Sequence, residues 1–275
     1  MNRWGKKLAF YGTLLVLSAV YVIPVLYMLI TAFKSRLDAQ TVPAKFFPRE
    51  WTLNSFRTLF NDPGSPVFSW LLNSLVIATV SAVSTVTICS LAAYALARMR
   101  FPGRDAIFFT IIGFMFIPGF VFLMPNFELM NKLEWLDTYQ VLIVPGLASA
   151  FNLFFMRQFF LSLPVELEES ARIDGAGPFK TFFLVVLPNA KPALGALLIL
   201  AFLGSWNDFI WPLYTLFSDE KLTLPIGLAR LQGAYTIDFP VIMAGATLAA
   251  VPVLILFIFL QRQIIQGVAT SGVKG

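Results

Sequence analysis

Six stretches of this chain run almost without charge: Leu8–Phe33, Val67–Ala97, Ala106–Phe127, Thr138–Met156, Pro192–Ser218 and Phe239–Gln261, the fifth interrupted only by Asp208. Each is near or above the roughly 20 residues that a helix needs to cross a hydrocarbon core. Backbone groups in lipid must be satisfied within the segment, so helices are expected; barrel strands would be about half as long and would alternate in polarity. Composition agrees, since only 13% of residues are charged, against about 25% in a soluble domain. The pattern predicts an all-α polytopic membrane protein with six transmembrane helices.

Charge placement orients the spans. With the N-terminus inside, the inner segments hold 12 of the 20 Lys and Arg residues, among them Arg98, Arg100, Arg157, Arg172 and Lys180. The outer segments hold the other 8, five of them in the first outer loop, and the bias places both termini in the cytoplasm. Arg3, Lys6 and Lys7 precede the first run as they would in a signal peptide. That run is longer than the usual 7–15-residue apolar region, however, and is read as a retained anchor. The basic balance follows membrane topology, and no nucleic-acid partner is expected. Pro24, Pro118, Pro125, Pro145, Pro212 and Pro252 lie within spans, either as tolerated kinks or as gating points.

Between the fourth and fifth spans lies the polar segment EESARIDGAGPFKTFFLVVLP, Glu168 to Pro188. Pro164 suits the start of a helix, and Glu166, Glu168 and Glu169 favour the positive end of its dipole. Glu168 and Arg172 form an i,i+4 pair. Gly175 and Gly177 are helix stops, and Pro178 opens a second helix. The turn carries an apolar face from Ala171, Ile173, Ala176 and Phe179. Such a knob fits a partner's groove; a solvated loop is the plainer alternative. The run DGAGPFKT is not a phosphate loop, because Phe179 and Asp174 stand where that motif requires glycines.

The same stretch resembles the signature of bacterial ABC importer permeases: Glu169, Ser170 and Ala171, then Gly175 after three residues, then Val185, Leu187 and Pro188. Ser170 replaces the middle Ala and Val185 replaces Ile. The whole chain resembles the second, six-span permease subunit of carbohydrate importers of the maltose-transporter-like, type I group; WNDFIWPL (Trp206–Leu213) and the ending QRQIIQGVATSGVKG are similar too. The resemblance implies a partnership with a homologous permease, two ATPase subunits and an extracytoplasmic solute-binding protein in a bacterial cell membrane. The helix–turn–helix would be a coupling helix docking on the ATPase through Glu168, Glu169, Ala171, Asp174, Gly175, Ala176, Leu187 and Pro188. No cofactor is expected on this chain itself; ATP and magnesium would belong to the ATPase subunits. The implied organisation is residues 1–66 (cytoplasmic tip, first helix and outer loop), 67–262 (the permease core, with its coupling loop at 162–190) and 263–275 (a cytoplasmic tail). By composition the tail is a flexible end; the resemblance implies a strut between ATPase subunits.

Within the fifth span, Asn207, Trp211 and Tyr214 share one face of a continuous helix at i, i+4, i+7 spacing, next to Asp208. An amide beside aromatic planes suits a sugar, and the same side chains equally suit interhelical contacts. Catalysis of its own is not expected. The chain has no His, one Cys (Cys89), and neither G-x-S-x-G nor H-E-x-x-H, so the usual nucleophile–base and zinc devices are missing. An ion-coupled secondary transporter is the alternative reading. It would want a relay of intramembrane acids, where only Asp208 is available.

Overall fold

The computed structural model describes residues 3–62, 64–231 and 238–272, at 3, 5, 6 and 262–272 by backbone alone. Among the described residues there is no β-strand. The helices are α1 (Arg3–Ala32), α2 (Arg36–Ala39), α3 (Asn54–Asn61), α4 (Val67–Arg98), α5 (Arg104–Phe114), α6 (Gly119–Lys132), α7 (Gln140–Gly146), α8 (Ala150–Ser162), α9 (Glu166–Ile173), α10 (Pro178–Asn189), α11 (Lys191–Trp206), α12 (Ile210–Thr215), α13 (Leu224–Arg230) and α14 (Phe239–Gly272).

Three of these, α1, α4 and α14, are each long and apolar enough to cross a bilayer alone. Pro24 and Pro252 lie inside α1 and α14 without ending them. Three further spans are bent pairs: α5 with α6 at 93°, α7 with α8 at 44°, and α10 with α11 at 81°. That makes six spans, but not six straight rods. The third run, expected as one helix over Ala106–Phe127, breaks before Pro118, whose extended backbone (ψ 130°) and missing amide stop the ladder. The fourth breaks after the turn containing Pro145 and restarts at Ser149, whose hydroxyl accepts the amide of Asn152. In the fifth, α11 stops at Trp206 and α12 starts at Ile210. The continuous face expected for Asn207, Trp211 and Tyr214 therefore does not exist, because the break turns the chain between the first of them and the other two. The helical backbone of α14 continues through Gly272, into the segment expected as a tail.

By contact density the chain forms two compact units, one from residues 1–68 and 224–252, the other from 69–223 and 253–275. In the first, the Lys34 ammonium bonds the Lys45 carbonyl at 2.6 Å and lies 4.8 Å from the Tyr27 ring centre. The buried Asp38 carboxylate accepts the Arg49 amide at 2.9 Å, so the loop after α1 folds back on polar bonds. Gly245 of α14 faces Leu228 of α13, where an added Cβ would collide with Leu228 Cδ2; a small residue is what permits this close approach.

The second unit packs around Tyr94 and Ala97 of α4, Met156 and Phe160 of α8, Phe182 and Val186 of α10, and Ala193 and Leu197 of α11. Tyr94, Phe160 and Phe182 form a ring cluster with centroids 5.0–6.2 Å apart. At the start of α4 a polar clamp gathers three segments. Trp70 Nε1 donates to the Asp219 carbonyl at 2.6 Å, and Asn73 Nδ2 donates to the Glu220 and Leu222 carbonyls. The Asp137 carboxylate accepts the amides of Phe217 and Ser218 at 2.9 and 3.0 Å, the Ser218 hydroxyl, and the Lys221 ammonium at 3.1 Å. Burial alone would raise the Asp137 carboxyl, but these bonds outweigh it and hold it well below the usual carboxylate range.

A depressed carboxyl stabilises the fold fully above its unfolded pKa of about 3.9 and loses that contribution only as pH falls through the lower folded value. Asp137 sits at φ 57°, a left-handed conformation that Asn tolerates. Asp137→Asn should therefore keep the backbone while losing charge-assisted bonds, lowering stability by about 1–3 kcal/mol. Thermal unfolding in detergent should show a deficit that is constant from pH 8 to 5.

Candidate functional site

The polar segment forms the helix–turn–helix that its residues encode. Glu166, Glu168 and Glu169 occupy the first turn of α9. Its C-terminus closes with two reversed bonds, Gly175 N–H to the Arg172 carbonyl at 3.0 Å and Ala176 N–H to the Ala171 carbonyl at 2.9 Å. This is a Schellman closure, which needs a left-handed residue at its centre; Gly175 has φ 78°. Gly177 is extended, and Pro178 takes the first position of α10. The next turns of α10, Phe182–Val186, are π-helical, with Leu187 and Pro188 following.

Exposure sorts the predicted residues into two groups. Glu169, Asp174, Gly175 and Pro188 are exposed, and Ala176 and Leu187 are half-buried. Ile173 is 87% exposed and Phe179 75%, one on each side of the turn. Glu168 and Ala171 are buried, so they shape the knob from within and have no surface to offer a partner.

Glu168 meets residues that the sequence reading left out. Its Oε1 lies 3.0 Å from Arg98 Nε, with side-chain exposures of 3% and 11%. The two atoms sit off the line of a good hydrogen bond, so their attraction is chiefly Coulombic. Glu168 Oε2 accepts the Tyr94 hydroxyl at 3.3 Å and lies 3.8 Å from Arg172 Nη2. Arg98 Nη2 also donates to the Phe160 and Leu163 carbonyls, both at 2.6 Å, at the C-terminal end of α8. One guanidinium thus joins the ends of α4 and α8 to α9. Removing one partner of such a buried pair typically costs about 3–5 kcal/mol, because the other charge is stranded. Only the i,i+4 spacing of Arg172 was visible in sequence; Arg98 lies some 70 residues away.

A cavity of about 340 Å³ opens in the same unit between α4, the α7–α8 break and α11. Polar groups line it: Ser81, Thr85, Ser149, Asn152, Ser205 and Asp208. Asn152 is 6% exposed, and its backbone amide donates to the Ser149 hydroxyl at 3.3 Å. Of the predicted solute-path residues only Asp208 borders this space. Its Oδ1 accepts the Trp211 amide at 3.4 Å, capping the restart of the helix. Trp211 Nε1 is committed to the Val141 carbonyl at 2.7 Å. Asn207 and Tyr214 are exposed on other surfaces.

Comparison with known proteins places this geometry. The family model described as binding-protein-dependent transport system inner membrane component matches residues 86–270. The arabinooligosaccharides transport system permease protein AraQ of Halalkalibacterium halodurans is 38% identical over 258 residues, covering 93% of this chain and 92% of that protein. The trehalose/maltose transport system permease protein MalG of Thermococcus litoralis is 30% identical, covering 95% of this chain and 94% of its own. A chain from the crystal structure of a bacterial ABC transporter involved in the import of the acidic polysaccharide alginate superposes with a TM-score of 0.83 at 23% identity, covering 95% of this chain and 98% of that one, and shares the fold. With its bent spans, its signature turn and these relatives in agreement, the chain belongs to the family of binding-protein-dependent transport system inner membrane components.

Proposed function

We propose that the chain forms half of the membrane pathway of an importer for a sugar or oligosaccharide, paired with a homologous permease. An extracytoplasmic binding protein delivers the solute. Two ATPase subunits, which hold the ATP and magnesium, dock on the loop at residues 162–190. In this reading the chain catalyses nothing itself and keeps both termini in the cytoplasm of a bacterial cell.

The observation that carries the proposal is the pair of exposed apolar side chains at the tip of a polar loop. Ile173, at the end of α9, and Phe179, in the first turn of α10, flank the Gly175 turn with their side chains largely exposed. Exposed apolar patches of this kind mark protein contacts. The names of the relatives support a carbohydrate solute, and so does the cavity, whose hydroxyls and amides suit a hydroxylated ligand. Asp208 caps α12, which suits a structural part better than a proton relay.

Orientation is testable with single cysteines, since the native Cys89 is buried. Cysteines at Asp62, Asn131 and Ser218 should react with an impermeant maleimide from outside, and those at Arg100 and Asp174 only after permeabilisation. Labelling of Asp174→Cys from outside would end the coupling reading.

Gly175→Val tests the joint. No heavy atom lies within 4 Å of the added Cβ, so strain at the left-handed site, on the order of 1–3 kcal/mol, is the whole effect. Insertion and permease pairing should survive. Co-purification of the ATPase, or solute-stimulated hydrolysis in vesicles, should fall severalfold.

A further inference from the structure

We propose that Arg98 is a positioning residue for transport, the joint through which movement of the cytoplasmic knob reaches the walls of the membrane cavity. The inference rests on the reading of α9 as the ATPase docking helix and assigns the internal part that this reading leaves open.

Three contacts of one side chain carry it. The guanidinium holds Glu168 of α9 through Nε at 3.0 Å, and the Phe160 and Leu163 carbonyls at the end of α8 through Nη2 at 2.6 Å each. Arg98 is itself the last residue of α4. Both helices that it joins continue to the cavity. Ser81 and Thr85 of α4 lie about 20–25 Å away at 1.5 Å per residue, and Asn152 of α8 about 12 Å from Phe160. α4 is unbroken over that distance, so it moves as a lever.

The chemistry suits a joint better than a docking contact. Glu168 is too buried to meet a partner, yet it is charged. A carboxylate held there by a guanidinium and by the Tyr94 hydroxyl at 3.3 Å gives α9 one orientation relative to α4. Apolar packing alone would permit sliding. The planar fork of Arg reaches a carboxylate and two carbonyls together, and the point charge of Lys does not reproduce this.

The test is solute imported per ATP hydrolysed by the complete importer in vesicles. It is combined with spin-label distances between Ser170→Cys on α9 and Arg100→Cys beyond α4, with and without ATP. In the wild type the distance should stay constant between the two states. Arg98→Lys should assemble with the ATPase normally, yet lower the transport ratio about fivefold or more, as loss of a coupling free energy implies, and broaden the distance distribution with ATP. Tyr94→Phe should shift both readouts in the same direction by less, and covers the case in which Arg98→Lys fails to fold. A wild-type ratio and an unchanged distance distribution in both variants would overturn the inference alone. Wild-type uptake that needs no ATPase would instead overturn the function on which it rests.

Discussion

Backbone amides and carbonyls inside hydrocarbon have no water to bond, so a membrane span that breaks must be repaired by side chains. In this protein the repairs reach from one helix to the next. Thr85 of α4 donates to the Gly146 carbonyl at 3.2 Å, and Cys89, one turn along, has its sulfur 3.5 Å from the Ser149 carbonyl and 3.8 Å from that of Leu147. Ser149 caps α8, Asp208 caps α12, and the Trp211 indole donates to Val141. The bends of the fourth and fifth spans exist because α4 and their own capping residues supply these partners. Of these groups Thr85, Ser149 and Asp208 also line the cavity, since only where helices break does polar backbone become available in a membrane.

The two ends of α4 solve a related problem in opposite ways. At its start, Trp70 and Asn73 bind carbonyls of the 219–222 segment, near the Asp137 clamp of that turn. These bonds are numerous and partly wetted, so each contributes modestly. At its end, a single buried guanidinium does the joining within the aromatic cluster of Tyr94, Phe160 and Phe182. Buried ion pairs often add little net stability over apolar packing of the same volume, but they do fix geometry. A helix tied loosely at one end and held in one orientation at the other is suited to transmit movement from the second end.

Much of this was legible in the residues alone. Span number follows from the length of uncharged runs, because lipid imposes that length. The Gly175 turn was legible because a closure of this kind admits few other residues at its left-handed position. The bends were not. Pro24 and Pro118 look alike in sequence, yet the first sits within an unbroken helix and the second marks a 93° turn. At Pro118 the chain leaves the helix through short local bonds, the N–H groups of Met115, Phe116 and Ile117 to carbonyls three residues back, and the spacing of the prolines does not mark that difference. Arg98 was read only as one of the basic residues that orient a span, because a charge at a helix end carries no sign of a carboxylate 70 positions on. The fifth-span face failed for the same reason, since helical spacing assumes a helix and Asp208 marks its restart.

The polar residues of the cavity therefore serve two purposes at once. Thr85, Ser149 and Asp208 hold broken backbone in place and also present oxygen atoms to the space between the helices. A change of one of them would alter the geometry of a bend as well as the chemistry of the wall. Ser81 is free of that constraint, because its hydroxyl bonds no described residue. Such a position can change its side chain without releasing a helix end.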